Sequence, residues 1–151
     1  MSNESENKNL VRRWFREVWN EGRTDLIDEL RSPQAVSTGL TGAASQGEEH
    51  FKSFYFNLRE AFPDLHVTVH DLLASEDKVA ARLTLDGTHT GLPFGKATGR
   101  KIQLDCMLFV RIANGKIVES WNSLDQFGLL KQLGFLAEDS HADFLTKRST
   151  T

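Results

Sequence analysis

The chain has 151 residues, with 18 Lys and Arg against 21 Asp and Glu and a formal charge of −3. One ordinary domain of that size buries most of the surface its unfolded chain would expose, and it lacks the basic excess with which nucleic-acid binders meet phosphates. Cys106 is the single cysteine, which excludes an internal disulfide and a cysteine-based zinc cluster. Residues 1–7 are polar and acidic, unlike a signal or transit peptide. No apolar run reaches membrane-spanning length, so the expected setting is cytoplasmic, away from membranes and nucleic acid.

Helical periodicity begins after Asn7. Leu10, Val11, Trp14, Phe15, Val18 and Trp19 form one continuous apolar stripe, with Lys8, Arg12, Arg13, Arg16 and Glu17 mostly opposite. Gly22 supplies a left-handed stop. A short second helix is predicted from Thr24, as its N-cap, to about Leu30, with Pro33 beyond its end. Residues 34–44 are small and unpatterned and read as a loop with at most a short strand. Ser45 and Glu48 have capping-box spacing, and Phe51, Phe54, Tyr55, Leu58 and Phe62 continue at helical spacing until Pro63 closes the element.

The period then becomes two. Leu65, Val67, Val69 and Asp71 alternate with His66, Thr68, His70 and Leu72, and a second alternation runs from Val79 to Asp86. Residues 91–99, with three glycines and Pro93, form a long connection. A third strand spans 101–112, Asn114-Gly115 is a strong hairpin signal, and its partner spans 116–125. A last helix covers about 126–133, and the polar tail 137–151 lies outside an ordered core of about 8–135.

Helices followed by strands imply α+β architecture. The expectation is a single domain: a cone-shaped, curved antiparallel sheet wrapped around N-terminal helices, with a small-molecule pocket at its open mouth.

Five stretches in this order carry a family resemblance: Ala61-Phe62-Pro63-Asp64-Leu65-His66-Val67; Asp77-Lys78-Val79-Ala80-Ala81-Arg82; Gly87-Thr88-His89-Thr90-Gly91; Gly115-Lys116-Ile117-Val118-Glu119-Ser120-Trp121; and Asp125-Gln126 through Leu133-Gly134. Together they resemble the SnoaL-like polyketide cyclases of the nuclear-transport-factor-2-like superfamily, over roughly residues 8–135. The resemblance implies a cofactor-free aldol-type ring closure of a small hydrophobic carbonyl substrate, with an aspartate at the end of the last long strand as general acid/base. Asp125 matches that position. The chain departs from the family where Ser37-Thr38 replace a common histidine, often accompanied by aspartate, after the second helix. The superfamily often pairs through its sheets, so a homodimer is expected.

Asp125 is the leading candidate on the residues as well. Desolvation beside apolar groups such as Trp121 and Phe127 disfavours a carboxylate's charged form, which is how one becomes a base near neutrality. The competing role is an N-cap for the last helix. His89, at a strand end, could donate to an enolate oxygen or hold loop backbone. Gln103 and Asp105 share one face of strand 101–112 with Met107 and Phe109, while Ile102, Leu104, Cys106, Leu108 and Val110 share the other. Either face could be internal. If the mixed face is, Gln103 and Asp105 orient substrate and Asp105 shares a proton with Asp125. Arg82 is a counter-ion for an enolate or half of a cross-strand salt bridge. Trp14, Phe15 and Tyr55 are the aromatics best placed to stack on a flat substrate.

His66 and His70 lie about 13 Å apart along a strand and cannot share an ion. No metal is expected. Two other readings stay open: ketone isomerisation or epoxide hydrolysis on the same architecture, and a non-catalytic ligand-binding or dimerisation domain.

Overall fold

The computed structural model describes residues 3–40, 47–93 and 95–136. Helix α1 (Glu4–Arg13) runs without a break into wide π-type turns over Trp14–Asn20. A 3₁₀ turn, Thr24–Leu26, leads into α2 (Ile27–Leu30), so Thr24 opens that turn and does not cap the helix. Strand β1 (Arg31–Thr38) follows, then α3 (Glu48–Ala61), β2 (His66–Ser75), β3 (Lys78–Thr88), β4 (Lys101–Ala113), β5 (Lys116–Leu124) and α4 (Gln126–Gln132). Gly47 holds the capping position of α3 without a side-chain bond. Ser45, expected to cap it, lies outside the described residues.

The strand order is β1-β5-β4-β3-β2. The four long strands form an antiparallel meander, and β1 adds parallel to β5 at the edge. The residues expected to be chiefly loop thus contain a full strand. Its small polar side chains hid it, because pairing with β5 and not local preference holds it extended. Pro33 sits where the β1–β5 register breaks, between Arg31 and Val36, a position that asks no ladder hydrogen bond of it. Asn114 and Gly115 turn with φ of 53° and 73°, the two positive values a tight hairpin requires.

The helices cover one face of the curved sheet, giving the expected α+β cone. Alternation decides what the helices meet. Ile102, Leu104, Cys106, Leu108, Val110 and Ile112 of β4 are all buried beneath them, whereas Gln103, Asp105, Met107 and Phe109 are exposed on the convex side. In β2 the predicted single alternation fails. A register shift between Val69 and Asp71 inserts one residue, and such a bulge reverses the parity beyond it. Val67 and Val69 face the core before it and Leu72 and Ala74 after it, which leaves Leu73 exposed.

The π-type turns carry Trp14, Phe15, Val18 and Trp19, all buried. Such turns are rare and tend to occur at functional sites. Phe51 of α3 meets Trp14 at 5.5 Å and Trp19 at 6.3 Å between ring centroids, and the Tyr55 hydroxyl donates to the Val18 carbonyl at 2.6 Å. No described helix is long and apolar enough to cross a membrane.

Candidate functional site

Between the helices and the concave sheet face lies a partly open apolar cavity of about 70 Å³. Trp14, Phe15, Trp19, Phe51 and Phe54 roof it, and Leu83, Leu85, Leu108 and Val110 floor it. Most of the lining is buried. Leu40, Phe54, Asn122 and Leu124 are half-buried and mark the side nearest solvent.

One strip of this wall is polar. On β5, Ser120 and Asn122 point inward opposite Val110 and Leu108 of β4, and Ser37 of β1 is the register partner of Ser120. Asn122 Nδ2 donates to Ser120 Oγ at 3.0 Å and to the Thr38 carbonyl at 2.9 Å. Ser120 Oγ donates to Ser37 Oγ at 3.1 Å. Arg31 Nη2 donates to Ser37 Oγ at 3.3 Å and to the Ala35 carbonyl at 3.1 Å. The row Arg31–Ser37–Ser120–Asn122 is therefore continuous. With two bonds accepted, Ser37 keeps its own hydroxyl hydrogen to donate, and Asn122 Oδ1 remains an acceptor. Gly39, with φ +85°, lets β1 run close by: a Cβ there would meet the Asn122 carbonyl oxygen at 2.1 Å. Glycine is what permits the approach.

Arg31 is 3% exposed and packs over the Phe51 ring at 4.5 Å. Burial draws its guanidinium below the ordinary value, with the field of Glu48 acting against that shift. It stays charged near neutrality. Burial also pushes the Cys106 thiol up to about 11, so it is a neutral wall group and not a thiolate nucleophile. Among the described lining residues there is no carboxylate and no imidazole.

The residues picked out from sequence are distributed differently from expectation. Trp14 and Phe15 do line the cavity. Tyr55 is fully buried against Trp19, with ring centroids 4.8 Å apart, and stands behind the lining. Gln103, Asp105, Arg82 and Trp121 all fall on the convex face, the opposite side of the sheet from the cavity. Arg82 Nε bonds Asp71 at 2.7 Å across β2 and β3, the cross-strand salt bridge. Gln103 exchanges backbone bonds with the Gln132 side chain at 2.7 and 3.0 Å. Asp105 accepts from Thr84 Oγ1 at 3.4 Å.

Asp125 is exposed and caps α4, accepting from the Gly128 amide at 2.8 Å. A Cβ on Gly128 would lie 2.2 Å from that carboxylate, so the cap and the glycine are matched. Trp121 does share its pleat, but that pleat faces outward and both residues are exposed. His89 is completely buried beside Phe62. Its Nδ1 accepts from the Thr98 amide at 3.2 Å, which puts the ring hydrogen of the neutral tautomer on Nε2. That atom has no partner among the described residues. Through Thr98 the His89 ring ties down the loop after β3. Among the described residues no group of His, Cys, Asp and Glu stands close enough to hold a metal ion.

Arg31, Ser120 and Asn122 were missed from sequence. The available signal was parity: Ser120 and Asn122 interrupt the inward face of β5. The other was Ser37, marked only as a family departure.

The sequence matches the SnoaL-like polyketide cyclase family over residues 9–133. Aklanonic acid methyl ester cyclase DnrD of Streptomyces peucetius is 31% identical over 129 residues, 83% of this chain and 88% of that protein. Its counterpart DauD from Streptomyces strain C5 is also 31% identical over 129 residues, 83% of this chain and 80% of that protein. Among solved structures, AclR of Streptomyces galilaeus superposes with a TM-score of 0.81 at 29% identity, covering 89% of this chain and 85% of its own. A cone with an aromatic-roofed cavity, matched in sequence along nearly its whole described length, makes this chain a cyclase-type enzyme of the SnoaL-like polyketide cyclase family.

Proposed function

We propose that the chain closes a ring in a small hydrophobic carbonyl compound by a cofactor-free, intramolecular aldol-type step inside the concave cavity. A C–H proton next to one carbonyl leaves, the resulting enolate carbon bonds a second carbonyl carbon of the same molecule, and the new alkoxide is protonated. No atom is gained or lost. The observation that carries this reading is the polar row on an otherwise apolar wall. The Ser37 hydroxyl is the donor for the enolate oxygen, and Ser120 and Asn122 hold it in place. Fixed donors in a water-poor site favour developing negative charge without reorganising.

In this reading the described lining supplies donors and shape in place of a base, so the departing proton passes to water at the half-buried edge by Asn122. Folding the substrate so that its reacting carbons meet can contribute about 7–11 kcal/mol. The cavity is about 70 Å³, smaller than the ~150 Å³ cavity that holds benzene. That favours a small substrate over a fused polycycle, admitted as Leu40, Phe54 and Leu124 give way. Asp125 acts here as the cap that sets the end of β5.

The test is turnover of small 1,5- and 1,6-diketones, whose aldol closure gives six- and five-membered rings, with aklanonic acid methyl ester as the bulky comparison, without added metal or nucleotide. Ser37→Ala is expected to lower kcat/KM by about 10²-fold, while Asp125→Asn keeps near-wild-type turnover. If Asp125→Asn abolishes turnover and Ser37→Ala does not, the mechanism reverts to the acid/base aspartate.

We propose further that two copies pair through the convex face. Leu73, Met107 and Phe109 there are 72%, 60% and 54% exposed, and Trp121 adjoins them. Contiguous exposed apolar surface of this kind marks association sites. Phe109→Asp with Trp121→Asp should give a monomer by light scattering, and an unchanged mass would remove this face as the interface.

A further inference from the structure

Arg31 is a buried cation that forms no ion pair with a described residue and feels only the field of Glu48. It opens β1 opposite Ile117 and lines the cavity. Its hydrogen bonds to described residues both come from Nη2, to the Ala35 carbonyl and Ser37 Oγ, and both acceptors are neutral. No described carboxylate lies within ion-pair distance, and the nearby Glu48 is bonded to Lys52 at 2.8 Å. Nη1 and Nε find no acceptor among the described residues. Arg31 is in the lining of the cavity.

Burying a guanidinium in an apolar wall is costly unless an anion meets it. A simpler role, pinning the irregular Arg31–Val36 stretch of β1, uses Nη2 alone. It accounts for neither the remaining nitrogens nor the need for a permanent charge. Guanidinium geometry suits a carboxylate held by two parallel N–H bonds, and the Phe51 ring fixes the group's plane from one side.

We propose that Arg31 anchors a carboxylate of the substrate, so that this cyclase takes a free acid with the acid group on Arg31 and the reacting carbonyls along the row from Ser37 to Asn122. The assignment deepens the reading of the cavity as the substrate site and rests on it. It separates this chain from relatives whose names carry a methyl ester.

Binding can be followed through the fluorescence of Trp14 and Trp19, both in the lining, with propionate, phenylacetate and benzoate against their methyl esters. The wild type should bind the acids at least about 10-fold tighter than the esters, and Arg31→Gln should weaken the acids by about 10–100-fold while leaving the esters unchanged. Equal or better binding of the esters, binding of none of the acids, or an acid preference that survives in folded Arg31→Gln overturns the proposal. Should that variant not fold, the side-chain ¹⁵N resonance of Arg31 in the wild type decides: acid shifts it and ester does not, or the assignment fails. An acid preference without turnover of any candidate would keep this anchor and remove the ring-closure mechanism. Turnover of a methyl ester without acid preference would do the reverse.

Discussion

The concave and convex faces of one sheet, built from alternate residues of the same strands, have opposite characters. The convex face holds most of the chemically versatile groups: Asp71 with Arg82, Asp105 with Thr84, and Gln103 with Gln132. The concave face is nearly all aliphatic, broken by Arg31, Ser37, Ser120 and Asn122. Reactive residue types therefore do not mark the site. On the convex side charges are solvated and paired, and such pairs contribute about 0–1 kcal/mol. On the concave side water is largely excluded, so a fixed donor or cation acts on a guest at low dielectric, where electrostatic interactions are several-fold stronger.

The sharpest way to test that contrast is Phe51→Ala. It removes the ring that meets Trp14, Trp19 and Tyr55 and underlies Arg31, and should lower unfolding free energy by about 3–5 kcal/mol in urea titrations. Asp125→Ala comes next. Loss of the bond to the Gly128 amide should cost about 0.5–2 kcal/mol, with Asp125→Asn recovering most of it and turnover persisting in both. A collapse of turnover at unchanged stability would restore Asp125 as a reacting group. The smallest effect is expected for Arg82→Gln: the exposed bridge to Asp71 should be worth about 1 kcal/mol or less, and kcat/KM should not move. A strong kinetic effect there would mean that the convex face reaches the chemistry.

The fold was largely legible because its signals are local. The switch from a 3.6-residue to a two-residue period, the Asn114-Gly115 turn and the stripe from Leu10 to Trp19 each report what a short segment does on its own. The strand β1 was harder, since Gln34 to Thr38 have no pattern and become a strand only through β5. The bulge after Val69 escaped for a similar reason: nothing in the sequence around His70 distinguishes a bulge from regular pairing.

The site was legible only in part. Alternation correctly divided β4 into two faces, and the resemblance pointed to a cone with a cavity. Neither could decide which face the helices cover. Sequence by itself determined the helices, the four long strands, their order and the family, and picked Trp14 and Phe15 for the lining, because periodicity and composition act over a few residues. Tertiary structure alone decided that Asp125 looks out and caps a helix, that Arg82 and Asp105 lie on the far side of the sheet, and that Arg31, Ser37, Ser120 and Asn122 meet. Those four come from two strands whose facing serines are 83 residues apart, and which side of the sheet the helices desolvate is settled by packing the whole chain at once.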